Sequence, residues 1–211
     1  MVAEVTLKPI EIAALGLLLE RPMHPYEMYQ IATQRREDTV VKVSPGSLYR
    51  AVYALEQKEY ARVAQVEREG ARPERTLFEI TDEGRERLYA DVAELLRTPR
   101  IERPSVLQAL SEAHVLPVEQ VVELLTERLV EMRARVVRIR AEVAAVSALN
   151  VPELYWINVP YMLTMAEAEI TWVVAQIERL RAGELSWQDS RTPEEKAQTA
   201  ERKARKHAPN P

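Results

Sequence analysis

Ser44 to Thr81, reading SPGSLYRAVYALEQKEYARVAQVEREGARPERTLFEIT, is the stretch that most narrows what this chain can fold into. Ser44 is placed to accept from the free N–H groups of an opening helical turn, and Pro45 sits where a missing N–H costs nothing. A helix is therefore expected from Ser44 to Glu59. Leu48, Val52 and Leu55 recur at i, i+4 and i+7 and form one buried stripe, which turns Ser47, Arg50 and Ala54 toward another face. Tyr60 to Glu67 then alternates apolar and polar residues, and Leu77 to Ile80 is a second β-rich run closed by Thr81-Asp82-Glu83-Gly84. The arginine-rich connection from Arg68 to Arg75 is broken by Gly70 and Pro73, as expected of an exposed, mobile loop.

A helix followed by a hairpin with a basic tip is the outline of a winged helix-turn-helix. That arrangement sets one helix into a major groove while the hairpin tip reaches neighbouring phosphates or the minor groove. The expected DNA-facing residues are Lys42, Ser44, Ser47, Tyr49, Arg50, Arg68, Arg72 and Arg75. Lys42 lies just before the helix, where a phosphate would meet its N-terminus, and Gly46 lets backbone come close to that phosphate. Ser44 and Ser47 also read as plain helix caps, and Tyr49 as a ring buried with its hydroxyl exposed.

Upstream, a first helix carries Ile12, Leu15, Leu18 and Leu19 and stops at Pro22, and His24-Pro25-Tyr26-Glu27 opens a second with Met28 and Ile31 inward. His24 is expected to cap or pack. Asp38 to Val43 reads as a turn and a short extended segment that would add a third strand beside the wing. A fourth helix, Asp82 to Leu96, carries Leu88, Val92 and Leu95, and prolines at 99 and 104 mark a domain junction. From Pro117 to Leu149, Val118, Leu125, Met132, Ile139 and Val146 are spaced by seven. Val122, Leu129, Val136 and Val143 form the matching row of a coiled-coil seam, beside same-helix charge pairs such as Glu131 with Arg135. The following helix, about Pro152 to Arg181, supplies an in-chain partner for part of that seam, and a second copy would cover the rest. The dimerisation residues are therefore Val118, Val122, Leu125, Leu129, Met132, Val136, Ile139 and Trp172. Trp156, Tyr161 and Trp172 are a candidate effector pocket, with dimer packing as the competing explanation.

The runs LGLLLERPMHPYEMYQI, SPGSLYRAVYALEQKEYA and EREGARPERTLFEITDEGRERL agree in register over residues 10–90 and resemble the PadR family of bacterial transcriptional regulators. Val106 to Leu180 is similar to the helical C-terminal domain of longer members, mainly in pattern. Tyr60 stands where the family commonly has glycine. The resemblance implies a sequence-specific DNA-binding regulator, a repressor, whose C-terminal helices make a twofold dimer, with a small-molecule effector as a further partner. The expected fold is mainly α. A winged helix-turn-helix over 1–98 precedes an all-α dimerisation domain of long antiparallel helices over 99–182 and a polar tail over 183–211. Trp187 is the one tail residue expected to tuck back.

Composition sets limits on this reading. With no cysteine and three scattered histidines, no metal site, cofactor or thiol chemistry is expected. No phosphate loop, nucleophile elbow or histidine–carboxylate cluster appears, so no catalytic residue is assigned. No apolar run spans a bilayer and no signal-peptide pattern opens the chain, which points to the cytoplasm and no membrane partner. A net charge of −4 counts against a general nucleic-acid binder, and the first hundred residues hold 15 Lys plus Arg against 17 Asp plus Glu. The cationic footprint must be local. The alternative is a winged-helix adaptor that works through protein contacts.

Overall fold

A computed structural model describes residues 7–67, 75–99 and 104–187, and the chain divides into two compact units, 1–102 and 103–211. In the first unit the order is α1 (Pro9–Leu18), α2 (Pro25–Gln34), α3 (Pro45–Gln57), β1 (Ala61–Glu67), β2 (Arg75–Ile80) and α4 (Asp82–Arg97). The second holds α5 (Ser105–Glu112), α6 (Val118–Ala148) and α7 (Asn158–Arg181). This is the mainly helical chain with a single wing that the patterning predicts.

The core of the first unit forms where α1, α2 and α3 converge. Leu15, Leu18, Met28, Leu48, Val52 and Leu55 are buried there around Phe78 of the wing. Each such side chain contributes about 2 kcal/mol on leaving water. Glu11 of α1 is also buried. It caps its own helix by accepting from the Lys8 N–H at 2.9 Å and accepts from Lys58 Nζ at 2.9 and 3.0 Å, which ties α1 to the end of α3.

β1 and β2 pair antiparallel, from Ala61 opposite Ile80 to Glu67 opposite Arg75, with an irregularity between Val63 and Gln65 that gives β1 one extra residue. The third-strand expectation for Asp38 to Val43 is overturned. Glu37–Thr39 form a 3-10 turn after Arg36, whose φ is 60°, and the N–H groups of Thr39, Val40 and Val41 go to the carbonyls of Arg36 and Glu37. With its donors turned inward, the segment has no ladder to offer. Met23 takes that place, exchanging N–H···O bonds of 3.0 and 3.2 Å with Phe78.

α3 ends in a Schellman closure: the Tyr60 N–H reaches the Leu55 carbonyl at 2.9 Å while Glu59 sits at φ 62°. The left-handed position is thus Glu59, and Tyr60 is conformationally ordinary. Thr81 caps α4, accepting from the Gly84 N–H at 3.0 Å and donating to the Glu59 carbonyl at 2.7 Å. A β-carbon on Gly84 would stand 2.1 Å from the Tyr60 carbonyl oxygen, so only glycine lets α4 start this close to the strand.

That contact sets the roll of α4 and corrects its predicted inner face. Gly84, Leu88 and Asp91 point inward, whereas Val92 and Leu95 are 39% and 41% exposed. Asp91 takes the buried place because it accepts from the Leu7 N–H at 2.8 Å and pairs with Arg87. Glu94, also buried, accepts from Thr98 Oγ1 at 2.5 Å.

In the second unit Val121, Leu125 and Leu129 of α6 pack with Val173, Ile177 and Leu180 of α7. The start of one helix meets the end of the other, so the pair is an antiparallel hairpin. α7 begins at Asn158 and not at Pro152. Pro160 is tolerated only in a first turn, and the residues before it form a 3-10 turn closed by Trp156 Nε1 donating to the Val151 carbonyl at 3.1 Å. Glu131 and Arg135 do not pair within α6. Arg128 and Arg140 cross instead to Glu169 and Glu167 of α7. The packed unit continues past Arg181 through Leu185 to Trp187, whose Nε1 donates to the Leu116 carbonyl at 2.8 Å.

Replacing Glu59 with glycine should relieve the left-handed backbone and raise stability by about 1 kcal/mol, read as an upward shift of the urea midpoint with an unchanged m-value.

Candidate nucleic-acid interface

α3 is held by its inner stripe, Leu48, Ala51, Val52 and Leu55, all buried. Gly46, Arg50, Tyr53 and Gln57 consequently share the exposed face at i, i+4, i+7 and i+11. Arg50 projects as expected. Ser47 and Ala54 lie half-buried on the flanks, while Tyr53 and Gln57 occupy outward positions beyond the expected DNA-facing set. Counting three and seven residues on from Arg50 would have found them. Tyr53 also rests edge-on against Phe78, with ring centroids 5.6 Å apart.

At the helix start, Ser44 Oγ accepts from the Ser47 N–H at 3.1 Å, and Ser47 Oγ accepts from the Ser44 N–H at 2.8 Å and donates to the Ser44 carbonyl at 2.8 Å. Both hydroxyls are committed to a reciprocal cap, which makes their first role structural. A β-carbon on Gly46 would lie 3.4 Å from an Arg50 guanidinium nitrogen, so Arg50 arches back over the opening turn. Lys42, Arg50 and Arg75 are exposed and form no ion pair among the described residues. Arg68 and Arg72 lie outside the described residues.

His24 is the N-cap of α2. Its Nδ1 accepts from the Tyr26 N–H at 3.1 Å, and its Nε2 lies 3.3 Å from the Tyr49 hydroxyl, with the two rings edge to face. Burial holds the His24 imidazole below its ordinary pKa, the charge of Arg75 pushes in the same direction, and Glu27 opposes them. The tip-side end of β2, the start of α2 and the outer flank of α3 therefore meet electrostatically at one imidazole.

The predicted dimerisation residues divide in two. Leu125, Leu129, Val136 and Ile139 are buried within the second unit, and Val118, Val122 and Met132 pack on its core. The seam is used inside the chain, because α7 presents a matching stripe at once and without loss of translational freedom. Trp172 remains 44% exposed. Of the aromatic trio, Trp156 is half-buried by its bond to Val151, and Tyr161 is 67% exposed. Tyr161 and Trp172 stand about 16 Å apart along α7 at 1.5 Å per residue, so one chain does not close a pocket around them.

Residues 14–90 match the model of the transcriptional regulator PadR-like family. The N-terminal unit is a PadR-like domain. Solved structures resemble the whole described chain. Bacillus subtilis PadR in complex with operator DNA is 13% identical at a TM-score of 0.69, covering 83% of this chain and 99% of its own. The same protein in complex with p-coumaric acid is 13% identical at 0.63, with coverages of 83% and 99%. The Vibrio cholerae virulence activator AphA is 20% identical at 0.58, with coverages of 82% and 98%. At these identities the likeness is one of fold, and it extends the PadR-like architecture through the helical second unit. No curated protein matches by sequence. No helix among the described residues is long and apolar enough to cross a membrane.

The PadR-like domain should lose stability in mild acid. The folded pKa of His24 lies below its ordinary 6.5, so the unfolded chain takes up the proton first. The stabilisation is complete above 6.5 and is lost as pH falls through the folded value. Urea midpoints at about pH 7.5 and about pH 5.5 should differ for the wild type and differ less in His24→Asn, which keeps a capping acceptor without a titrating ring.

Proposed function

We propose that this protein is a DNA-binding transcriptional regulator of PadR type, in which α3 enters the major groove and the wing lies along the flanking backbone. The observation that carries this reading is the outward edge of α3: a helix rolled by its apolar stripe so that Arg50, Tyr53 and Gln57 face outward. Lys42 before it and Arg75 on the wing are free of carboxylates among the described residues. The operator complex of Bacillus subtilis PadR, which shares the fold, supports it. Cations without partners neutralise phosphates, and the helix supplies base-edge contacts.

A homodimer follows from the same reading. The second unit, taken by itself, leaves Val130 and Val137 exposed seven residues apart on α6 and Tyr161, Met165 and Trp172 exposed on α7, an apolar surface that a second copy would cover. Two recognition helices about one DNA turn apart then read a palindromic site, and linked contacts raise affinity without a basic domain. Repression results where that site overlaps a promoter. A small-molecule effector, by analogy with the p-coumaric acid complex of Bacillus subtilis PadR, would bind where the second copy brings aromatic groups together that one chain keeps apart.

Two measurements test the proposal. On a duplex selected from random sequence by the full-length protein, Lys42→Ala and Arg50→Ala should each weaken binding and each lower the salt slope by about 1. Unchanged affinity in both would favour the winged-helix adaptor. Light scattering of the full-length chain should give twice the chain mass, and Val137→Glu should shift it toward the monomer.

A further inference from the structure

The contact between His24 and Tyr49 joins the cap of one helix to the outward flank of another, and its chemistry is settled by the cap. Nδ1 accepts from the Tyr26 N–H, so in the neutral ring the proton sits on Nε2. That Nε2–H is the donor toward the Tyr49 oxygen 3.3 Å away. A tyrosine hydroxyl that accepts from an imidazole keeps its own proton to give, and that proton has no acceptor among the described residues. The edge-on packing of the rings, 84° between planes, leaves the phenol little freedom to swing away.

We infer that His24 is a positioning residue for DNA recognition, holding Tyr49 so that its O–H donates outward to an oxygen or ring nitrogen acceptor on the bound duplex. The inference rests on the DNA-binding reading above. Tyr49 alone carries the contact. His24 sets where the hydroxyl stands and makes it a donor, so it acts only through Tyr49. The charged groups that act on the imidazole are Arg75 from the wing and Glu27 from α2.

A double-mutant cycle on the selected duplex, read by fluorescence anisotropy with full-length protein, tests the inference. Tyr49→Phe keeps the ring and removes the hydroxyl, and should weaken binding about tenfold. His24→Asn preserves an N-cap acceptor but is too short to reach Tyr49, and should weaken binding by a similar factor. In the Tyr49→Phe background His24→Asn should add nothing. Equal losses in both backgrounds would mean that His24 acts through the fold, and wild-type affinity in either single variant would remove the hydroxyl contact or its positioning. Either result overturns the inference and leaves the DNA-binding reading standing. If the wild type selects no duplex, that reading fails and takes this inference with it.

Discussion

The burial of Leu48, Ala51, Val52 and Leu55 governs what the first unit can present to a partner. A helix has one roll angle, and four buried positions leave no choice in it. Turning α3 by a single residue, about 100°, would expose apolar side chains worth about 2 kcal/mol each and bring a charged residue toward the core. The outward set of Gly46, Arg50, Tyr53 and Gln57 is therefore a consequence of the inward set. Two pins act on the same helix, Lys58 on the buried Glu11 and the serine pair at the helix start, while Met23 holds the wing at Phe78.

An acidic chain can present a cationic edge if its carboxylates are committed elsewhere. Here many are. Glu11, Asp91 and Glu94 are buried and hydrogen-bonded, and Glu20, Glu27 and Glu79 hold Arg35, Arg21 and Arg62. Among the described residues Lys42, Arg50 and Arg75 have no such partner, so their charges are not cancelled by an ion pair although the net charge is negative. Net charge averages over pairs that the fold has already closed.

Patterns confined to neighbours in sequence were legible. The serine cap and the i, i+4, i+7 stripe of α3 depend on contacts a few residues apart and appear where their pattern places them; both wing strands form too, but β2 starts at Arg75, two residues before the expected run, and Val63 and Val66 of β1 stay exposed. What failed depended on distant groups. Nothing near Asp91 announces that the N–H of Leu7, eighty-four residues earlier, needs an acceptor, so Val92 and Leu95 looked like the better core. Asp38 to Val43 reads as a short extended segment and so as a candidate third strand. The bridge went to Met23, a single residue with no strand pattern at all. The heptads of α6 specify an apolar partner without saying whose, and α7 supplies it first. Of the residues expected to face DNA, Lys42, Arg50 and Arg75 are exposed, while Ser44 and Ser47 are occupied by capping because a hydroxyl at a helix start satisfies its own backbone before any ligand.

The junction between α3 and the wing shows how a strained backbone can serve the whole domain. Glu59 occupies a left-handed conformation that costs a non-glycine residue about 1 kcal/mol, and a glycine there would relieve it. The surroundings over-determine the geometry instead. Tyr60 closes the helix onto Leu55, Thr81 donates its hydroxyl to the Glu59 carbonyl and its N–H to the Tyr60 carbonyl, and Gly84 lets α4 press against the Tyr60 carbonyl. The direction in which β1 leaves α3 is thus set by several bonds across two chain segments. A helix and a wing that engage one duplex together gain from each other only if their relative orientation is fixed before binding, since any hinge between them would have to be frozen at the cost of affinity. The bonds around Glu59 define one direction for the wing, so a helix and wing acting together as proposed would have no such hinge to freeze.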